Sequence, residues 1–141
     1  MKVAVLTIFP EMFDLFWTHG IVRRAIEQGR LQGEAIDIRA FAEDRHKMTD
    51  DRPYGGGCGM VMKPEPLTAA VRAARERMPD AATLLMSPQG RPFSQQTAAE
   101  LAGRSGLIFI CGRYEGVDER FVAQCVDAEI SIGDYVLTGG E

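Results

Sequence analysis

Cys111-Gly112-Arg113-Tyr114-Glu115-Gly116 and Ser131-Ile132-Gly133-Asp134-Tyr135-Val136-Leu137-Thr138-Gly139-Gly140 combine glycines, aromatics and carboxylates, and neither contains a lysine. Glycine lets backbone amides and carbonyls come close to a ligand. The nearby carboxylates of Glu115, Asp118, Glu119 and Asp134 would oppose a pyrophosphate and favour a sulfonium or ammonium group. A third stretch, Ser87-Pro88-Gln89-Gly90, has the same loop character. Recognition of a small, partly cationic molecule through backbone groups fits these residues best. A ligand of the S-adenosylmethionine type meets both conditions, with an adenine edge for the backbone and a positive centre for the carboxylates.

Other chemistries lack their residues. No Gly-x-Gly-x-x-Gly follows a strand, and no phosphate-loop Gly-Lys-Ser/Thr occurs. His19 and His46 are far apart and offer no metal-ligand spacing, so no metal site is assigned. A Gly-x-Ser-x-Gly elbow is missing. Cys58 and Cys111 stand beside glycines, where burial outweighs a nucleophilic role.

For the three loops to share a ligand they must leave neighbouring strands. Val3–Phe9 is an apolar, β-branched run of strand length. Pro10 opens a helix with Met12, Phe13, Leu15 and Phe16 on its apolar face, and a second helical stretch runs from Ile21 to Gln28 and stops at Gly29. Ala35–Ala40 alternates as a half-buried strand, with Ile36 and Ile38 on one face. Pro64 starts a helix that carries Leu67, Ala70, Val71, Ala74 and Met78 at helical spacing. Thr83–Met86 reads as a strand, Ser87–Gly90 as a turn, and Ser94 as the N-cap of a helix to about Ala102. Leu107–Cys111 is apolar on both faces, as a central parallel strand is. Asp118 caps a short helix through Val122, and Val126–Ile130 is again strand-like. This alternation predicts an α/β fold, a mostly parallel sheet with helices on both faces. Ligands in such sheets sit beyond the carboxyl ends of the strands, which is where all three loops fall.

The 141 residues, 45% hydrophobic and 26% charged, suit one globular domain. No apolar run approaches the roughly 20 residues of a membrane span, and Met1–Leu6 has no signal-peptide organisation. Three cysteines without Cys-x-x-Cys pairing give neither a disulfide framework nor a zinc site, so a cytoplasmic protein with reduced thiols is expected. A net charge of −4 counts mildly against a nucleic-acid partner. Phe41–Met62 is a long charged loop that ends in a glycine run; it reads equally as a self-compensating surface loop or as a lid that uses arginine on phosphates and aspartate on base edges.

Five motifs in order, Phe9-Pro10-Glu11-Met12-Phe13, Asp50-Asp51-Arg52-Pro53-Tyr54-Gly55-Gly56-Gly57, Ser87–Gly90, Cys111–Arg120 and Ser131–Leu137, resemble the bacterial tRNA (guanine-N1)-methyltransferase family across the whole chain. The resemblance implies methyl transfer from S-adenosylmethionine to N1 of guanosine 37 in tRNA. It also implies a SPOUT-type fold with a trefoil knot near the carboxyl end, and a homodimer. Residues matching Gly112 and Ile132, Gly133, Asp134, Tyr135, Val136 and Leu137 would hold the methyl donor, with Pro88, Tyr114 and Glu115 against it. Those matching Asp50 and, in the glycine-rich loop, Gly59 are tied to tRNA recognition. Some family members use magnesium. Cys58 stands where many members have proline.

Family members continue into a helical carboxyl-terminal domain that carries the proposed base for the guanine proton. On this resemblance, residues 1–141 are the donor-binding domain, the tRNA-binding helical domain is absent, and no residue here takes the catalytic role. The knot is expected to be short of chain. The readings from outside this family are a non-catalytic flavodoxin-like nucleotide-binding module and a structural or dimerisation domain whose glycine loops are only turns.

Overall fold

Residues 1–141 are described by a computed structural model. β1 (Lys2–Thr7) lies inside a five-stranded sheet, paired in parallel with β2 (Gln32–Asp37) on one side and β6 (Gly106–Cys111) on the other. β6 pairs with β5 (Ala82–Pro92), and β5 with the edge strand β7 (Ala128–Ser131), all parallel. The expected parallel sheet is therefore present.

Sequence explains the helices and the faces they cover. α3 (Pro64–Arg77) begins at a proline and buries Leu67, Ala70, Val71 and Ala74. With α5 (Glu119–Cys125) it covers the face of the sheet that carries Leu6, Ile108, Ile110 and Leu85. Leu84, Leu107 and Ile130 point the other way, toward α4 (Gln95–Ala102), as alternation along a strand requires. Also on that face, the Trp17 ring of α1 (Asp14–Thr18) lies on Gly33 of β2. Connections that step one way along the sheet place their helices on one face, and those stepping back use the other. This is the outcome of crossovers of constant hand.

The capping residues act as their types predict. The Ser94 hydroxyl accepts from Thr97 N at 3.2 Å and the Asp118 carboxylate from Arg120 N at 2.9 Å. Gly29, at φ 68°, follows α2 (Gly20–Glu27). No helix is long and apolar enough to cross a membrane.

Four local expectations are corrected. Pro10–Phe13 is a 3₁₀ turn before α1, and Met12, Leu15 and Phe16 are exposed instead of forming a buried face. β2 starts earlier than Ala35 and gives way to a 3₁₀ turn at Ile38–Phe41. There the Asp37 carboxylate accepts from Arg39 N at 2.8 Å, offering the backbone a partner other than the sheet. The long loop contains a small antiparallel hairpin, β3 (Asp50–Asp51) with β4 (Val61–Met62). Ser87–Gly90 is not a turn that ends β5 but a bulge within it: Met86 and Arg91 both face Ile130, and the four residues between are looped out.

Candidate functional site

β5 exits toward α4 on one face and β6 toward α5 on the other, so their exits diverge and leave a crevice at the carboxyl edge of the sheet. A cleft of about 250 Å³ occupies it, bordered by Leu85–Pro88, Gly112–Val117, Ile130–Gly133 and Tyr135–Glu141. The three loops singled out in the sequence thus meet around one space. Pro88, Gly112, Tyr114, Glu115, Ile132, Gly133, Tyr135, Val136 and Leu137 all border it; Asp134 does not and is exposed.

Each wall has a local cause. Tyr114 has φ 62°, a left-handed conformation that is costly for a bulky side chain, and it is 41% exposed at the rim. The buried Ser131 hydroxyl donates to Gly133 O at 2.8 Å and so turns the chain out of β7. Beyond that turn the chain runs back across the sheet. Gly140 N–H donates to Gly112 O at 2.9 Å, and a Cβ on Gly140 would stand 2.9 Å from Cys111 Cα and 3.0 Å from Gly112 N. Only glycine fits that crossing.

The wall formed by residues 112–117 is braced from behind by the end of the long loop. Glu115 N–H donates to Met60 O at 2.9 Å, Met62 N–H to Gly116 O at 2.9 Å, and Asp118 N–H to Met62 O at 3.1 Å. Gly59, at φ 85°, is pressed against the Glu115 side chain, which a Cβ there would overlap. Asp50 is half-buried on β3, paired with Met62, and does not border the cleft.

The electrostatics are simple. Arg113 and Glu141 form an ion pair, Nε to Oε2 at 2.8 Å, although the angle at Nε falls short of a hydrogen bond. That pairing leaves Glu115 as the uncompensated charge bordering the cleft. Burial pushes the Cys111 thiol up to about 12, with Glu141 adding to the rise and Arg113 opposing it, so it is no nucleophile at neutral pH. Arg120 holds the Asp118 carboxyl below its ordinary range through a side-chain hydrogen bond. No group of three or more His, Cys, Asp or Glu side chains is arranged to hold a metal ion.

Sequence reasoning missed the contribution of Arg113 and Glu141, and of Thr7 and Phe9, which contact them. These residues come from three distant stretches, and no local pattern links them. The one available hint was a charged residue directly after Gly139-Gly140.

The chain is 61% identical over 141 residues to the tRNA (guanine-N(1)-)-methyltransferase of Desulfatibacillum aliphaticivorans, covering 100% of this chain and 54% of that protein. It is 54% identical to the enzyme of that name from Alcanivorax borkumensis, covering 99% of this chain and 52% of the relative. The chain thus spans about half the length of the curated relatives it matches. The crystal structure of tRNA (m1G37) methyltransferase from Aquifex aeolicus superposes with a TM-score of 0.90 at 41% identity, over 99% of this chain and 63% of that one. The family model described as tRNA (Guanine-1)-methyltransferase TrmD matches residues 1–141 of this chain, and the chain belongs to that family.

Proposed function

We propose that this chain forms the methyl-donor half of an enzyme that methylates N1 of guanosine 37 in tRNA. The convergence of the β5 bulge with the exits of β6 and β7 on one cleft carries this reading. S-adenosylmethionine, when bound, supplies an electrophilic methyl group on a sulfonium. The remaining task of this chain is alignment. Leu85, Met86, Ile130, Val136 and Leu137 provide apolar surface for an adenine, and the backbone of 112–116 and 132–140 provides donors and acceptors for its edge. Glu115 gives the positive centre a counter-charge. Pro88, Tyr114, Gly133 and Tyr135 shape the ends, and Asp134 contributes through its backbone. The volume lies below the roughly 300–1,000 Å³ usual for ligand sites, which suits a bent ligand and a 132–137 segment that yields on binding.

In the transfer this donor would supply, the methyl carbon would leave sulfur for guanine N1, sulfur would keep the bonding pair, and the N1 proton would pass to a base. We place that base in the part of the relatives beyond the matched span, since Glu141 is held by Thr7 and Arg113 and Glu115 serves as counter-charge to the sulfonium. No group of three or more His, Cys, Asp or Glu side chains is placed to hold the magnesium that some family members use.

The tRNA would meet the 41–62 loop. Tyr54 at its tip is fully exposed, as a base-stacking ring must be, and Arg45, Lys47 and Arg52 stand nearby in sequence. Asp50 and Gly59 would set that loop through β3 and Glu115. The return of the chain from β7 to Gly112 supports a trefoil crossing. A homodimer is supported by apolar surface left bare, namely a groove of about 290 Å³ lined by residues including Phe93, Leu101, Phe109 and Ile132, together with exposed Leu15, Phe16 and Ile21.

The test is calorimetric titration with S-adenosylmethionine, paired with a tritiated-methyl assay on tRNA. Donor binding without turnover is expected from residues 1–141. Absence of donor binding would overturn the cleft assignment, and robust turnover would overturn the placement of the base.

A further inference from the structure

Arg113 borders the cleft and reaches the 138–141 segment that also borders it. Its side chain folds back, with the guanidinium carbon 4.7 Å from the centroid of the Phe9 ring. Nη1 donates to Thr138 O at 3.3 Å, and Nη2 lies 3.7 Å from Met12 Sδ. Nε stands 2.8 Å from Glu141 Oε2, in a pair whose side chains are only 20% and 4% exposed. The other oxygen of Glu141 accepts from the Thr7 hydroxyl at 2.7 Å, and that hydroxyl in turn accepts from Phe9 N–H at 3.0 Å. Thr7 is fully buried at the carboxyl end of β1.

This network joins two stretches that border the same cleft. Arg113 belongs to the 112–117 wall, and Thr138 and Glu141 belong to the segment returning from β7. Between them the only other polar tie is the Gly140 N–H to Gly112 O bond. The far ends of the network, Thr7 and Phe9, are anchored on the central strand β1 and the turn that follows it. A weakly solvated, planar guanidinium that stacks on an aromatic ring and forks to two acceptors suits this junction, and lysine does not.

We propose that Arg113 is a positioning residue: with Glu141 it latches the 138–141 segment to the 112–117 wall and fixes the width of the donor cleft before the donor arrives. The latch holds the mouth in its binding shape, so affinity gains from the ordering already done. It rests on the donor-cleft reading above.

Two measurements on the 141-residue chain test it. In calorimetry with S-adenosylmethionine, Arg113→Gln and Glu141→Gln should each weaken binding by about tenfold or more, and the double variant by no more than either single, as coupled groups do. Arg113→Lys should recover less than half of the loss on a logarithmic scale. In amide hydrogen exchange without donor, Arg113→Gln should speed exchange at Gly140 selectively, with central β6 amides unchanged. A merely structural role would lower the melting temperature and leave donor affinity unmoved. Wild-type binding with Arg113→Gln within about twofold of it, or unchanged Gly140 exchange, overturns the latch. Failure of the wild-type chain to bind donor overturns the cleft reading itself, and with it any donor-positioning role for Arg113.

Discussion

Glycines gather in two regions of this molecule for opposite physical reasons. At 55–57 a Cβ would meet nothing within 4 Å, and the loop they form projects into solvent. At Gly90 and Gly140 a Cβ would run into backbone, that of β7 in one case and of Cys111 and Gly112 in the other. The first region uses glycine for its backbone angles, since Gly56 and Gly57 hold φ of 77° and 117°, and the second uses it to let chain segments cross in contact. Within the open run only Gly55 has neither a left-handed φ nor a neighbour within 4 Å, while Gly90 and Gly140 are fixed by close packing.

Substitutions at the two regions should separate by sign. Gly140→Val inserts bulk where the neighbours are backbone. It should cost about 2–3 kcal/mol in urea unfolding, or else dislodge the 138–141 segment and abolish donor binding. If it leaves both unchanged, the close-packed crossing is not real.

The cysteines divide in the same way. Cys58 is exposed in the open loop, whereas Cys111 is buried at the crossing with its thiol raised from 9.0 to about 12. Iodoacetamide at pH 8 should label Cys58 and spare Cys111. Because the folded state disfavours the Cys111 thiolate, the stability this contributes is complete below pH 9 and is lost as pH rises toward 12. Its slope should reach up to about 1.4 kcal/mol per pH unit. Cys111→Ala should flatten that alkaline limb, and a limb that persists in the variant would assign it to other groups.

Tyr114 sharpens the contrast from within the packed region, since its left-handed backbone is costly for a tyrosine. Tyr114→Gly should leave stability unchanged or higher by up to about 1 kcal/mol while donor affinity falls. Parallel loss of both would make the ring structural. The smallest effect belongs to the open loop. Gly55→Ala should raise stability by about 0.4–1 kcal/mol through the unfolded chain, measurable as a small rise in melting temperature.

Periodicity and caps carried most of the fold in the sequence. The α3 pattern from Leu67 to Ala74, the Ser94 and Asp118 caps and the doubly apolar 107–111 run all lie where their residue types placed them. Errors fell where a side chain or distant strand competed with local preference. Asp37 drew Ile38–Phe41 out of β2, and β7 pulled Arg91 and Pro92 into a strand that local turn residues appeared to have ended. The cleft was legible as three glycine-bearing loops, although one of them is a bulge inside β5 and not the end of that strand. Its latch was not, because Thr7, Phe9, Arg113 and Glu141 are brought together only by the return of the chain, and no spacing rule reaches across that distance.

β1 occupies an interior position between β2 and β6, although it ends at Thr7 and β6 begins at Gly106. At synthesis rates of about 5–20 residues per second, its second edge waits roughly 5–20 s on the ribosome before its neighbour exists. During that interval an apolar strand, Val3–Leu6, offers unpaired amides and carbonyls to whatever is near. Production of this protein should therefore depend on chaperone supply more steeply than its finished stability would suggest, and slowed translation between Pro64 and Gly106 should lower the soluble yield.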